Sequence, residues 1–169
     1  MPNTFELIAS STVGSGGAAS ILFSSIPSTY TDIVVKLSVR SARASVGPSI
    51  GVKVNGSTSN LTGRALTGDG AAATSTTKTN GYVGQATGAN ATASTFGNLE
   101  VYFPNYAGST NKSFSSDSVG ENNATTAYSD LVAGLWSQTA AITSLEFYDI
   151  GVGDFVQYST AYLYGVKNA

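Results

Sequence analysis

The chain has 169 residues, of which 11% are charged, with a formal net charge of -2 and neither cysteine nor histidine. The missing residue types exclude disulfides, Cys/His metal sites and a Ser-His-Asp triad. The acidic balance and eight scattered basic residues argue against a nucleic-acid partner.

The length suits one domain, 1–169, able to bury about two-thirds of its unfolded surface. Ordinary soluble domains carry roughly 25% charged residues, so a chain this poor in charge suits an assembly better than free diffusion. No apolar run approaches the ~18 residues of a membrane helix. The start, Met-Pro-Asn-Thr-Phe-Glu, lacks the basic and apolar regions of a signal peptide, which implies synthesis in the cytoplasm.

Residues 4–8 read as a short strand, 10–17 as a Ser/Gly turn and 20–23 as a second strand. Pro27 marks a corner. Residues 32–41 alternate cleanly, with Ile33, Val35, Leu37 and Val39 on one face, as a central strand with one face on the core requires. Residues 49–54 repeat the pattern with Ile50, Val52 and Val54, and end at Asn55-Gly56, a strong hairpin signal. From 62 to 95 large apolar residues become scarce, and the segment reads as one long Gly/Ala/Thr/Ser-rich loop. Two readings stay open for it: an arm pinned by a neighbouring subunit, or an excursion lying on its own domain.

Strands resume at 98–103, with Leu99, Val101 and Phe103 on one face, then at 112–119 and 126–136. The closing stretch, 142–167, reads as strand, glycine-rich loop and strand, a hairpin that closes the sheets. In it Tyr162 and Tyr164 are expected to be covered. Eight to ten short strands with Gly/Asn/Pro turns predict an all-β fold, an antiparallel β-sandwich of jelly-roll type with one long ordered loop.

Without histidine, catalysis would need paired carboxylates, a Ser/Lys couple or an oxygen-ligated metal, and Glu146, Asp149 and Asp154 form the densest carboxylate cluster. Aspartates beside glycines are usually turn formers, so no enzyme activity, metal or cofactor is expected. Tyrosine brings contact area at little entropic cost. Tyr82, Tyr106 and Tyr158, with Asp149 and Asp154, are therefore the candidate interface residues.

Two stretches carry a resemblance. Residues 5–14 with 23–33 (Phe-Ser-Ser-Ile-Pro-Ser-Thr-Tyr-Thr-Asp-Ile), and residues 155–167 (Phe-Val-Gln-Tyr-Ser-Thr-Ala-Tyr-Leu-Tyr-Gly-Val-Lys), resemble small virion structural proteins of tailed bacteriophages of marine and cyanobacterial hosts. They cover about a third of the chain. The resemblance implies a non-enzymatic virion protein, made in the host cytoplasm and oligomeric, with a trimer favoured. Its partners would be the major capsid protein or other virion proteins. A capsid decoration or cement protein is the first expectation; a tail fibre or tail accessory domain that binds a host surface glycan is the alternative. A flat apolar base favours the first, and a groove lined by aromatics favours the second.

Overall fold

The computed structural model describes residues 4–122 and 126–167. Among them lie twelve strands and no helix, arranged as two antiparallel sheets. The larger sheet has the order β1 (Phe5–Thr12), β12 (Thr160–Val166), β3 (Asp32–Val39), β8 (Gly97–Phe103), β9 (Lys112–Val119), β10 (Ser129–Trp136), β5 (Leu61–Gly68) and β6 (Ala73–Lys78). The smaller has the order β2 (Ser20–Phe23), β11 (Leu145–Asp149), β4 (Ser49–Val54) and β7 (Tyr82–Gln85). The all-β sandwich expected from the sequence is present, with four more strands than the eight of a jelly roll.

The core is where the alternation places it. Ile33, Val35, Leu37 and Val39 of β3 and Leu99, Val101 and Phe103 of β8 face Ile50, Val52 and Val54 of β4 and Leu145 and Phe147 of β11. Each such side chain contributes about 1.5–3 kcal/mol by leaving water, which is why period-2 strands settle with this face inward.

Three expectations need correction. The closing stretch is not a hairpin, because β11 pairs with β2 and β4 in the smaller sheet while β12 lies between β1 and β3 in the larger. The stretch therefore crosses between sheets. Its outer face is uncovered, so Tyr162 is exposed and Tyr164 only half-buried. Asn55 and Gly56 do form a tight turn, both at positive φ, with Val54 and Ser57 exchanging backbone bonds. The chain after it nevertheless leaves for β5 in the other sheet.

The third correction concerns 62–95, which holds most of β5, all of β6 and all of β7 instead of one loop. Threonine and serine can satisfy a strand without apolar alternation when both faces meet water, as in β6. The remainder is held by its own domain. The Arg40 guanidinium donates to the carbonyls of Ala91 (3.1 Å), Thr92 (2.9 Å) and Thr95 (2.9 Å), and the Thr87 hydroxyl donates to the Thr95 carbonyl (2.7 Å). One rigid planar donor thus ties down residues 91–95, while the amides of Gly88, Ala89 and Asn90 donate to the carbonyls of Val46, Arg43 and Ser45.

Candidate interaction surface

At the end of β11 the chain enters Asp149-Ile-Gly-Val-Gly-Asp154, and Asp149 organises the loop from beneath. It is buried. Its Oδ2 accepts from the Ser41 hydroxyl (2.6 Å) and from Nε of Arg43 (3.2 Å), while Oδ1 accepts from the Gly151 amide (2.7 Å). The two glycines follow from that anchor. A Cβ at Gly151 would strike the Arg43 guanidinium, and one at Gly153 would strike Ser41 and the Asp149 carboxylate. With the anchor and glycines below, Val152 stands at the tip, 94% exposed and at φ 65°. Left-handed backbone is rare for a β-branched residue and persists only where the surroundings impose it.

Tyr158, in the turn before β12, repeats the arrangement at φ 72° and 70% exposure. Its amide donates to the Val13 carbonyl (3.0 Å), which fixes the turn and leaves the ring in solvent. Asp154 is exposed, and its carbonyl accepts from the Ala42 amide (2.8 Å). Of the five expected contact residues, Tyr158 and Asp154 are therefore available at the surface. Asp149 lies beneath the loop that carries Asp154.

Tyr82 and Tyr106 are inside, contrary to expectation. Tyr106 is fully buried in the main core, and its hydroxyl reaches the Pro27 carbonyl. Tyr82 is buried beside Ala65 and Val132, and its hydroxyl donates to Asp130 (3.0 Å). Burial, joined by the Asp130 charge, pushes the Tyr82 phenol up, so it stays a donor through alkaline pH. A buried tyrosine settles where its hydroxyl finds an acceptor, and neither acceptor is a sequence neighbour.

The carboxylate pair considered for catalysis is likewise committed to structure. Both Asp149 oxygens accept bonds that hold the loop, and Glu146 accepts from Nζ of Lys53 (3.1 Å). Burial raises the Glu146 carboxyl, but hydrogen bonds from Ser20 and Lys53 outweigh it and leave a net lowering, which suits an ion pair rather than a general acid. Among the described residues no group of three or more acidic, His or Cys side chains could hold a metal ion.

The broadest surface is the outer face of the eight-stranded sheet, which no part of the smaller sheet covers. Register aligns its side chains in rows across all eight strands. One row runs Leu7, Tyr164, Val34, Tyr102, Ser115, Ala133, Arg64, Thr77. The next runs Ser10, Tyr162, Lys36, Glu100, Asp117, Leu131, Leu66, Ser75. Charge gathers at the centre, where Nζ of Lys36 meets Glu100 at 2.7 Å. Toward one side Leu66 and Leu131 are direct cross-strand partners, and Leu131 is 60% exposed. Leu135 on the same strand and Val119 extend this apolar strip, and Phe5 and Leu7 form a second one at the far edge.

No family model, no curated protein and no solved structure matches this chain. The surface is thus read from its own chemistry. Beside the leucine strip lies a shallow depression of about 410 Å³, lined by Arg64, Leu66, Ser75, Ser115, Asp117 and Leu131 among others, with no aromatic residue in its wall. Sequence reasoning missed this strip. Leu131 and Leu135 were visible in a candidate strand, but which face meets water depends on a second sheet whose extent is not written locally.

Proposed function

We propose that this protein is a structural component of a tailed-bacteriophage virion, a capsid decoration or cement protein that binds assembled major capsid protein from outside. The observation that carries the reading is the outer sheet face, which is broad, gathers its charge at the centre, is striped with exposed leucines to the side and has no aromatic-walled groove beside them. Such a face suits burial against another protein better than capture of a sugar. The resemblance at residues 5–14, 23–33 and 155–167 supplies the virion context and favours copies acting as a homo-oligomer, a trimer first. Binding that favours the closed shell over its loosened state stabilises the shell by mass action.

The test uses one labelled preparation on two targets, mature decoration-free capsids and host cells. Saturable capsid binding with a lattice-set stoichiometry and raised heat resistance is expected, and Leu131→Asp weakens it at least tenfold by placing a charge in the strip. Cell binding competed by surface polysaccharide, with no capsid binding, overturns the reading in favour of a tail adhesin.

A further inference from the structure

Four strands form the free edges of the two sheets: β1 and β6 in the larger, β2 and β7 in the smaller. An exposed edge is a template for another strand, and proteins blunt edges by shortness, bulges, proline or outward charge. Three of the four edges are blunted. β2 and β7 have four residues each, and β1 has a register shift between Leu7 and Ala9. β6 carries no such guard. Its register against β5 is unbroken from Lys78 to Ala73, it contains no proline, and residues 73–77 (Ala-Thr-Ser-Thr-Thr) are uncharged and exposed. Its single charge is folded back, with the Lys78 ammonium 4.3 Å from the centre of the Tyr82 ring.

The turn before β6 settles which backbone groups are free. Asp69 donates its amide to the Ala72 carbonyl, so these two residues form a hydrogen-bonded pair. Bonded and non-bonded pairs alternate from there in an antiparallel ladder. Thr74 and Thr76 therefore bond inward to Thr67 and Ala65, and Ala73, Ser75 and Thr77 turn N–H and C=O away from β5.

We propose that β6 is the edge through which two copies of this chain associate, antiparallel, about a twofold axis normal to the sheet at Ser75. Such an axis sets one residue opposite itself, and within residues 73–77 the contact closes the most backbone bonds where that residue bonds outward at the centre of the edge. Ser75, in the middle of β6, does so. Ala73 then faces Thr77, both outward-bonding, and Thr74 faces Thr76 as a cross-strand threonine pair. About six backbone bonds close the contact. A second copy is the occupant because it brings an edge already matched in length, polarity and parity, and neutral residues 73–77 meet no like charge. The contact joins copies in pairs, does not itself build a trimer, and stands independently of the virion reading.

Sedimentation of the full chain across a concentration series tests it. The mass is expected to rise from 17.2 kDa towards twice that value. Ser75→Pro removes an amide that β5 does not use, and Ser75→Lys sets two ammonium groups face to face at the axis. Both variants are expected to stay at the monomer mass with unchanged circular dichroism. A wild-type chain that is monomeric throughout, or a Ser75→Lys variant that associates like wild type, overturns the proposal. Ser75→Lys decides the matter if the proline variant fails to fold.

Discussion

Asp130 offers the sharpest test of how the two sheets are joined. It is buried on β10, and no salt bridge reaches it among the described residues. Its Oδ1 accepts from the hydroxyls of Tyr82 (3.0 Å) and Thr67, and its Oδ2 accepts from the Ser118 hydroxyl (3.1 Å) and Nε2 of Gln85 (3.3 Å). These donors come from β5, β7 and β9, so one carboxylate ties the edge of the smaller sheet to three strands of the larger. In Asp130→Ala, Tyr82 and Ser118 stay buried without an acceptor, at about 1–3 kcal/mol each, whereas the half-buried Thr67 and Gln85 can turn to water. Relief from burying a charge offsets part of this loss. The expected net destabilisation is about 3 kcal/mol, read by urea unfolding with Trp136 as the fluorophore. Asp130→Asn keeps one acceptor oxygen, and Ser118 can reverse its bond, so about 1–2 kcal/mol is expected. An alanine variant within about 1 kcal/mol of wild type, or milder than the asparagine variant, refutes the account, since stranded donors are its main cost.

Other perturbations probe separate parts of the fold. Gly134→Ala drives a methyl group into the buried Phe114 ring, which is already packed on Phe103 at 5.1 Å between centroids; overpacking should cost about 1–3 kcal/mol or more in the same unfolding assay. Arg40→Met should speed hydrogen exchange in residues 91–95 and leave β3 and β8 protected, because the guanidinium holds the carbonyls of Ala91, Thr92 and Thr95. Lys167 and Glu6 pair at 2.9 Å, the bond from Lys167 holding the Glu6 carboxyl below its ordinary value and the bond to Glu6 raising the Lys167 ammonium. The Glu6 contribution is present above its unfolded pKa and lost as pH falls through the lower folded one. The Lys167 contribution is present below its unfolded pKa and lost as pH rises through the higher folded one. The melting-temperature difference between wild type and Lys167→Met should therefore be small, constant near neutrality and gone in acid.

The sequence was most legible where one face of a strand is apolar and the other polar. β3, β4 and β8 were placed within a residue or two because Ile33 to Val39, Ile50 to Val54 and Leu99 to Phe103 each alternate. β6 was illegible to the same rule, since a strand wet on both faces has no period to display; its threonines were the available signal. Sheet membership could not be read at all. Asn55-Gly56 specifies a turn, but whether the next strand pairs back or crosses over depends on edges formed far away in the chain. Asp149 could be recognised as turn chemistry, whereas its partners Ser41 and Arg43 lie more than a hundred residues earlier. Tyr106 misled because its neighbours Pro104 and Asn105 are turn formers, while the ring itself fills the core.

The position of β12 has a consequence for the order of events in the cell. It lies between β1 and β3, and it is the last of the twelve strands to be translated. Until it is made, the earliest strand has no neighbour and one side of β3 is open, so the nascent chain carries two sticky edges for most of its synthesis. Contacts that span the whole chain close slowly, and partly built sheets aggregate. Few charges along the chain protect that interval. Yield should consequently respond to expression temperature and chaperone supply more steeply than the finished protein's stability alone predicts.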